Sequence, residues 1–103
     1  MSTVYSLCLV GAGQLGSRYL QGLVRSKSVL DITVVDQSAE SLETARARWV
    51  EASGEKSPHK IRWFESVPSE LKQVDVALVV TSSKGRAELI QNISGSISVR
   101  FWV

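Results

Sequence analysis

The chain contains one cysteine, one histidine and two prolines among its 103 residues. A single cysteine cannot form an internal disulfide, and Cys8 stands inside an apolar run, where a thiol packs as a small hydrophobic group. His59 has no second histidine, cysteine pair or acidic cluster near it in sequence, so neither a metal site nor a catalytic triad can be assembled around it. We therefore expect a buried, unreactive Cys8 and a surface His59.

The sequence also lacks long apolar runs and clusters of charges of the same sign. No segment approaches the ~18 apolar residues of a membrane span, and the N-terminus lacks the pattern of a signal peptide. The net charge is only +2, and the basic residues are scattered, which is not the footprint of a nucleic-acid-binding protein. We expect residues 1–103 to form a single cytoplasmic domain with neither nucleic acid nor membrane as a partner.

Strand-like apolar runs alternate with segments of helical spacing along the whole chain, which predicts an α/β protein with a parallel sheet. Right-handed crossovers then give a three-layer Rossmann fold with an open sheet of about five strands in the order 3-2-1-4-5. The predicted strands are Val4–Val10, Leu30–Asp36, Ile61–Glu65, Val74–Thr81 and Ile97–Val103. The predicted helices are Gln14–Arg25, one that follows Ser38 as its N-cap, and Lys84–Asn92.

Apolar positions of the second helix recur on one face at Leu42, Ala45 and Trp49. Trp49, Trp63 and Trp102 all occupy core-compatible positions in a helix or a strand, so we expect these tryptophans to contribute to packing rather than to ligand stacking.

A glycine motif, Gly11-x-Gly13-x-x-Gly16, directly follows the first strand and opens the first helix. Gly11 permits the tight turn, Gly13 lets a pyrophosphate approach the backbone, and Gly16 lets the helix pack closely on the sheet. This context is typical of a dinucleotide-binding βαβ unit. The predicted cofactor loop consists of Gly11, Ala12, Gly13, Gln14, Leu15 and Gly16.

Asp36 closes the second strand twenty residues after Gly16. A carboxylate at this position accepts hydrogen bonds from the ribose hydroxyls of adenosine and repels a 2′-phosphate. The sequence therefore predicts NAD as the cofactor in preference to NADP.

Thr81 ends the predicted fourth strand and Ser82 and Ser83 follow it, at the edge where open α/β sheets bind ligands. Their hydroxyl groups suit a ribose or nicotinamide contact, but Ser83 also suits the N-cap of the next helix. The two roles are compatible, and both stay open at this point.

The chain resembles the N-terminal domain of the glucose-fructose oxidoreductase and inositol dehydrogenase family in the segments Gly11–Leu20, Val34–Asp36 and Asp75–Thr81, with Ala87-Glu88-Leu89 behind them. The resemblance implies an NAD- or NADP-dependent oxidoreductase of sugars or cyclitols, with much of its substrate pocket on a C-terminal α/β domain. It also implies cofactor contacts at matching positions, namely Gly11, Gly13, Gly16, Asp36, Thr81, Ser82 and Ser83.

The chain departs from the family pattern at two positions after the fourth strand. Thr81-Ser82 stands where the family usually has Thr-Pro, and Arg86 stands where a histidine is common. The Glu-Lys-Pro motif of the family would begin after Val103, so the resemblance supplies no catalytic residue. We expect the N-terminal fragment of a larger oxidoreductase, inactive without its substrate domain and dimeric through the fifth strand.

Two other functions fit the same motif. A nucleotide-sensing regulatory module uses this βαβ unit without catalysis. A methyltransferase has a similar glycine loop and strand-end acid, but the Gly11-x-Gly13-x-x-Gly16 spacing fits a pyrophosphate better.

Overall fold

The computed structural model describes residues 4–11, 14–54, 58–69, 71–80 and 97–102. These residues form five strands and two helices, in the chain order β1 (Val4–Val10), α1 (Gln14–Leu23), β2 (Val29–Val35), α2 (Ala39–Ser53), β3 (Lys60–Phe64), β4 (Gln73–Val79) and β5 (Ser98–Trp102). The strands make one sheet in the order β3-β2-β1-β4-β5, and every pair is parallel. This confirms the predicted α/β class and strand order.

The central strand β1 is held on both sides. It pairs with β2 over its whole length and with β4 from Leu7 to Val10. Just before the β1–β4 ladder, the Ser6 N–H donates to Asp75 Oδ2 at 2.8 Å, and the Asp75 N–H donates to Ser6 Oγ at 3.1 Å. These two reciprocal bonds fix the register of β4 against β1 where the ladder begins.

The helices α1 and α2 pack together and share one hydrophobic cluster with the sheet. Leu20 of α1 and Trp49 of α2 are almost completely buried in it. The other buried members of this cluster are Leu7, Leu9, Leu30, Ile32, Val34, Leu42, Ala45 and Leu78. A second cluster consists of Cys8, Val10, Val35, Val74, Ala77, Val79 and Ile97. The predicted helix Lys84–Asn92 lies outside the described residues.

Local signals explain where α2 begins and ends. The Ser41 N–H donates to Ser38 Oγ at 3.2 Å, which confirms Ser38 as the N-cap. Gly54 ends the helix with a φ of 67°, and its N–H donates to the Val50 carbonyl at 3.0 Å. A positive φ is strained for a residue with a Cβ, so glycine suits this position.

The helix α1 ends at Leu23, two residues before the predicted end. Its last turn tightens, because the N–H groups of Arg25 and Ser26 donate to carbonyls three residues back, those of Gly22 and Leu23. Strand ends also differ from the prediction by one or two residues; β2, for example, spans Val29–Val35.

His59 is buried, so the prediction of a surface histidine is wrong. The Leu30 N–H donates to His59 Nδ1 at 3.1 Å, and His59 Nε2 lies 3.3 Å from the Val24 carbonyl oxygen. Because Nδ1 accepts the hydrogen bond from the Leu30 N–H, the ring hydrogen lies on Nε2, which donates to the Val24 carbonyl. The ring also contacts Trp49 edge-on, with centroids 6.2 Å apart. The His59 side chain, directly before β3, thus links this strand to the end of α1 and to the start of β2.

We expect His59→Leu to lower the free energy of unfolding by about 2–4 kcal/mol, because it keeps the bulk beside Trp49 but leaves buried backbone groups of Leu30 and Val24 unpaired. His59→Asn is the matched control, since its amide can replace the acceptor near Nδ1. Urea unfolding monitored by circular dichroism measures both variants. A smaller loss for His59→Leu than for His59→Asn would show that packing, not hydrogen bonding, gives His59 its role.

Candidate functional site

The predicted cofactor loop begins with Gly11, at the carboxyl end of β1. Gly11 has a φ of 104° and is buried. Its N–H donates to the Val35 carbonyl at 2.8 Å. A positive φ of this size is rarely adopted by other residues, so the structure gives Gly11 the conformational role that the motif predicts.

The hydrogen bond from Gly11 to Val35 brings the glycine turn beside Asp36, the next residue after Val35. The Asp36 N–H in turn donates to the Phe64 carbonyl at 3.0 Å, which ties the end of β2 to the end of β3. The two key residues of the motif therefore lie side by side at the carboxyl edge of the sheet.

The Asp36 carboxylate is half-buried and oriented by the backbone. Its Oδ1 accepts the Ser38 N–H at 2.8 Å, two residues further on. The Asp-x-Ser spacing is typical of this kind of turn, in which an aspartate side chain accepts a nearby N–H. Sequence reasoning identified Ser38 only as the helix cap and missed that its backbone also positions Asp36.

The remaining predicted site residues fall into two groups. Gln14, Leu15 and Gly16 belong to the first turn of α1, so a strand precedes the motif and a helix contains its last glycine, as the motif requires. The second group lies outside the described residues: Ala12, Gly13, Thr81, Ser82 and Ser83.

The end of β4 lies next to the end of β1. The Val80 N–H donates to the Val10 carbonyl at 2.9 Å. From β1, the chain adds β2 and then β3 on one side of the sheet, and it later adds β4 and then β5 on the other side. The strand order therefore reverses between β1 and β4. In open parallel sheets, ligands bind outside the carboxyl ends of the strands at this point.

Other chemistries find little support in the described part of the chain. Cys8 is fully buried, and burial raises the pKa of its thiol to about 11, so it stays protonated at neutral pH and makes a poor nucleophile. The described residues contain no group of three or more His, Cys, Asp or Glu side chains placed to hold a metal ion. None of the helices described is long and apolar enough to cross a bilayer.

A search with models of known protein families found no match to the chain. A search of curated proteins found no significant similarity either.

We expect Gly11→Ala to lower the free energy of unfolding by about 1–3 kcal/mol even without ligand, because the φ of 104° is strained for alanine. Gly22→Ala is the matched control: a Cβ added at this α1 position meets no atom within 4 Å, so stability should rise by up to about 1 kcal/mol. Thermal unfolding compares the two. A Gly11→Ala protein as stable as the unchanged chain would contradict the conformational role of Gly11.

Proposed function

We propose that the chain binds NAD(H) at the carboxyl ends of β1, β2 and β4, as the cofactor domain of an oxidoreductase. The observation that carries the proposal is the bond from the Gly11 N–H to the Val35 carbonyl, because it sets the first glycine of the motif beside the residue that precedes Asp36. Phosphates at the start of α1 and a ribose at the end of β2 are the two contacts that this spacing suits.

In this proposal Asp36 selects the cofactor. A carboxylate has about four acceptor positions, so Asp36 can hold the Ser38 N–H and still accept a ribose hydroxyl. Its negative charge opposes a 2′-phosphate at the same place, which favours NAD over NADP. Because Ser38 orients the carboxylate before the cofactor arrives, little side-chain entropy is lost on binding.

Hydride chemistry belongs to the nicotinamide cofactor, and this domain supplies its binding and orientation. By the resemblance described above, the substrate is a sugar or cyclitol held largely by a C-terminal domain. We expect the 103-residue chain alone to bind NADH with micromolar or weaker affinity, about −8 kcal/mol or less favourable, and to show no turnover.

Calorimetric titration with NADH and NADPH tests the cofactor assignment. We expect tighter binding of NADH, and we expect Asp36→Asn to reduce that preference about tenfold, a change of about 1.4 kcal/mol. The asparagine keeps an oxygen for the Ser38 N–H while it removes the charge. Glu51→Gln, the same change at an exposed position near the end of α2, should leave the preference unchanged.

A preference of the unchanged chain for NADPH would refute the role of Asp36. Gly13→Val offers a second check, because its isopropyl group should occupy the space of the pyrophosphate and abolish binding of both cofactors. Unchanged binding by a folded Gly13→Val protein would show that the glycine loop is not the site.

We further propose that β5 mediates a homodimer. β5 pairs with β4, and no other described strand pairs with its outer edge. Such an edge is a template for a second copy. We expect sedimentation at several concentrations to show a dimer that Trp102→Lys converts to a monomer, while Tyr5→Lys, at an exposed site on β1, does not. A monomer at high micromolar concentration would contradict this proposal.

A further inference from the structure

β3 is an outer strand, and its backbone presents an open edge. It pairs with β2, and no other strand in the described part of the chain pairs with it. The Phe64 carbonyl accepts the Asp36 N–H, so the backbone groups of Phe64 point towards β2. Backbone groups of successive strand residues point to opposite sides, so those of Ile61 and Trp63 point away from the sheet.

A groove of about 370 Å³ lies beside this edge, between α2 and β3. We call it the α2–β3 groove. It is lined by Arg46, Trp49, Val50, Ser53 and Gly54 from the second half of α2 and its cap, and by Ile61 and Trp63 from β3.

Two residues of β3 belong both to the α2–β3 groove and to the open strand edge. Ile61 and Trp63 contribute their side chains to the groove and their backbone groups to the open edge. An extended peptide that pairs with this edge would therefore place alternate side chains over the groove.

The floor of the α2–β3 groove is apolar and firmly held. Trp49 is only 4% exposed and belongs to the core, and Ile61 and Trp63 are half-buried against the same cluster. Val50, one turn along α2 from Arg46, is 58% exposed and forms an apolar wall. An exposed valine beside half-buried apolar groups gains stability when a further apolar side chain covers it.

Charge decides what kind of partner fits. Arg46 is exposed and is the one charged side chain among the described residues that line the groove. Lys60 and Arg62 add positive charge to the other face of β3, although Arg62 lies 3.7 Å from Asp31. An acidic partner is attracted by these groups.

A second copy of the chain meets like charges in two antiparallel registers. Pairing of two β3 strands centred on Arg62 sets this residue opposite its own copy, and centring on Ile61 sets Lys60 opposite Arg62. Like charges directly opposite each other destabilise a strand pair.

We propose that the outer edge of β3 and the α2–β3 groove bind an extended, acidic peptide segment of a partner protein. The segment adds a strand to β3, seats an apolar side chain against Val50 and Trp63, and pairs an acidic side chain with Arg46. This interaction is independent of cofactor binding.

The charge of the partner is tested with fluorescein-labelled octapeptides in which glutamate or lysine alternates with valine. Fluorescence anisotropy with the 103-residue chain should show binding of the glutamate peptide only. Arg46→Glu should weaken this binding at least tenfold and favour the lysine peptide. Arg25→Glu, the same change at an exposed position after α1, should have no such effect. Failure of the glutamate peptide to bind would overturn the proposal.

Strand addition is tested at Ile61, whose N–H points away from β2. Ile61→Pro removes this outward donor and spares the bonds to β2, whereas Ile61→Ala shortens the side chain and keeps the donor. We expect Ile61→Pro to bind the glutamate peptide at least tenfold more weakly than Ile61→Ala. Equal binding by the two folded variants would overturn strand addition.

A second measurement leaves the protein unchanged and so does not depend on the folding of Ile61→Pro. Octapeptides N-methylated on alternate residues lose the donors along one side only, and we expect one of the two methylation patterns to abolish binding. Equal binding of both patterns would overturn the proposal. A different outcome is that the chain binds no peptide and self-associates in a way that Ile61→Pro abolishes and Trp102→Lys does not. That result would identify a second copy of the chain as the occupant of the β3 edge, and it would also overturn the proposal.

Substitutions on α2 test whether the peptide occupies the α2–β3 groove. Val50→Glu should prevent the glutamate peptide from binding, because it replaces the apolar wall with a like charge. Ala47→Glu places the same side chain at an exposed α2 position outside the lining and should change the affinity less than twofold. Similar losses for the two variants would show that the peptide is not in the groove.

Discussion

The position of β1 between β2 and β4 is the constraint on which the rest of the structure depends. The chain must leave β1 in one direction to reach β2 and β3, and return past it to form β4 and β5. The ends of β1 and β4 meet at the bond between Val80 and Val10, and that is the point where the direction reverses. Parallel pairing then brings Gly11 and Asp36 to one edge although 24 residues of chain separate them.

Sequence patterns predicted this arrangement well, because the physical requirements of a central parallel strand are local. The Val-Ala-Leu-Val-Val run that begins at Val76 in β4 is apolar without alternation, as a strand with both faces covered requires. Gly11 was predicted from the need for a tight turn, and its φ of 104° lies in the range that favours glycine. The cap at Ser38 was predicted in the same way, since an N-cap depends on the residue itself and its near neighbours.

His59 shows where such reasoning fails. The residue stands between Pro58 and Lys60 in a polar stretch, and nothing in its neighbourhood indicates burial. Its two ring nitrogens meet backbone groups of Leu30 and Val24, which are about 30 residues away along the chain. When a histidine hydrogen-bonds to backbone groups, its partners can be residues of any type. The residue types in the sequence therefore carry no information about which groups it contacts.

The α2–β3 groove could not be predicted from the sequence either, for a different reason. Trp49 and Trp63 were rightly assigned to packing, and both do pack against the core. What makes Trp63 part of a surface is that β3 is the last described strand on its side of the sheet, a property of strand order rather than of residue type. The edge and the cleft thus follow from the same topology: the strand order reverses beside β1, and the outward order of the strands leaves β3 with no neighbour on one side among the described strands. The β2–β3 ladder and the bond from the Asp36 N–H to the Phe64 carbonyl connect these two parts of the sheet, so the carboxyl end of β2 and the outer strand β3 are held in a fixed relation.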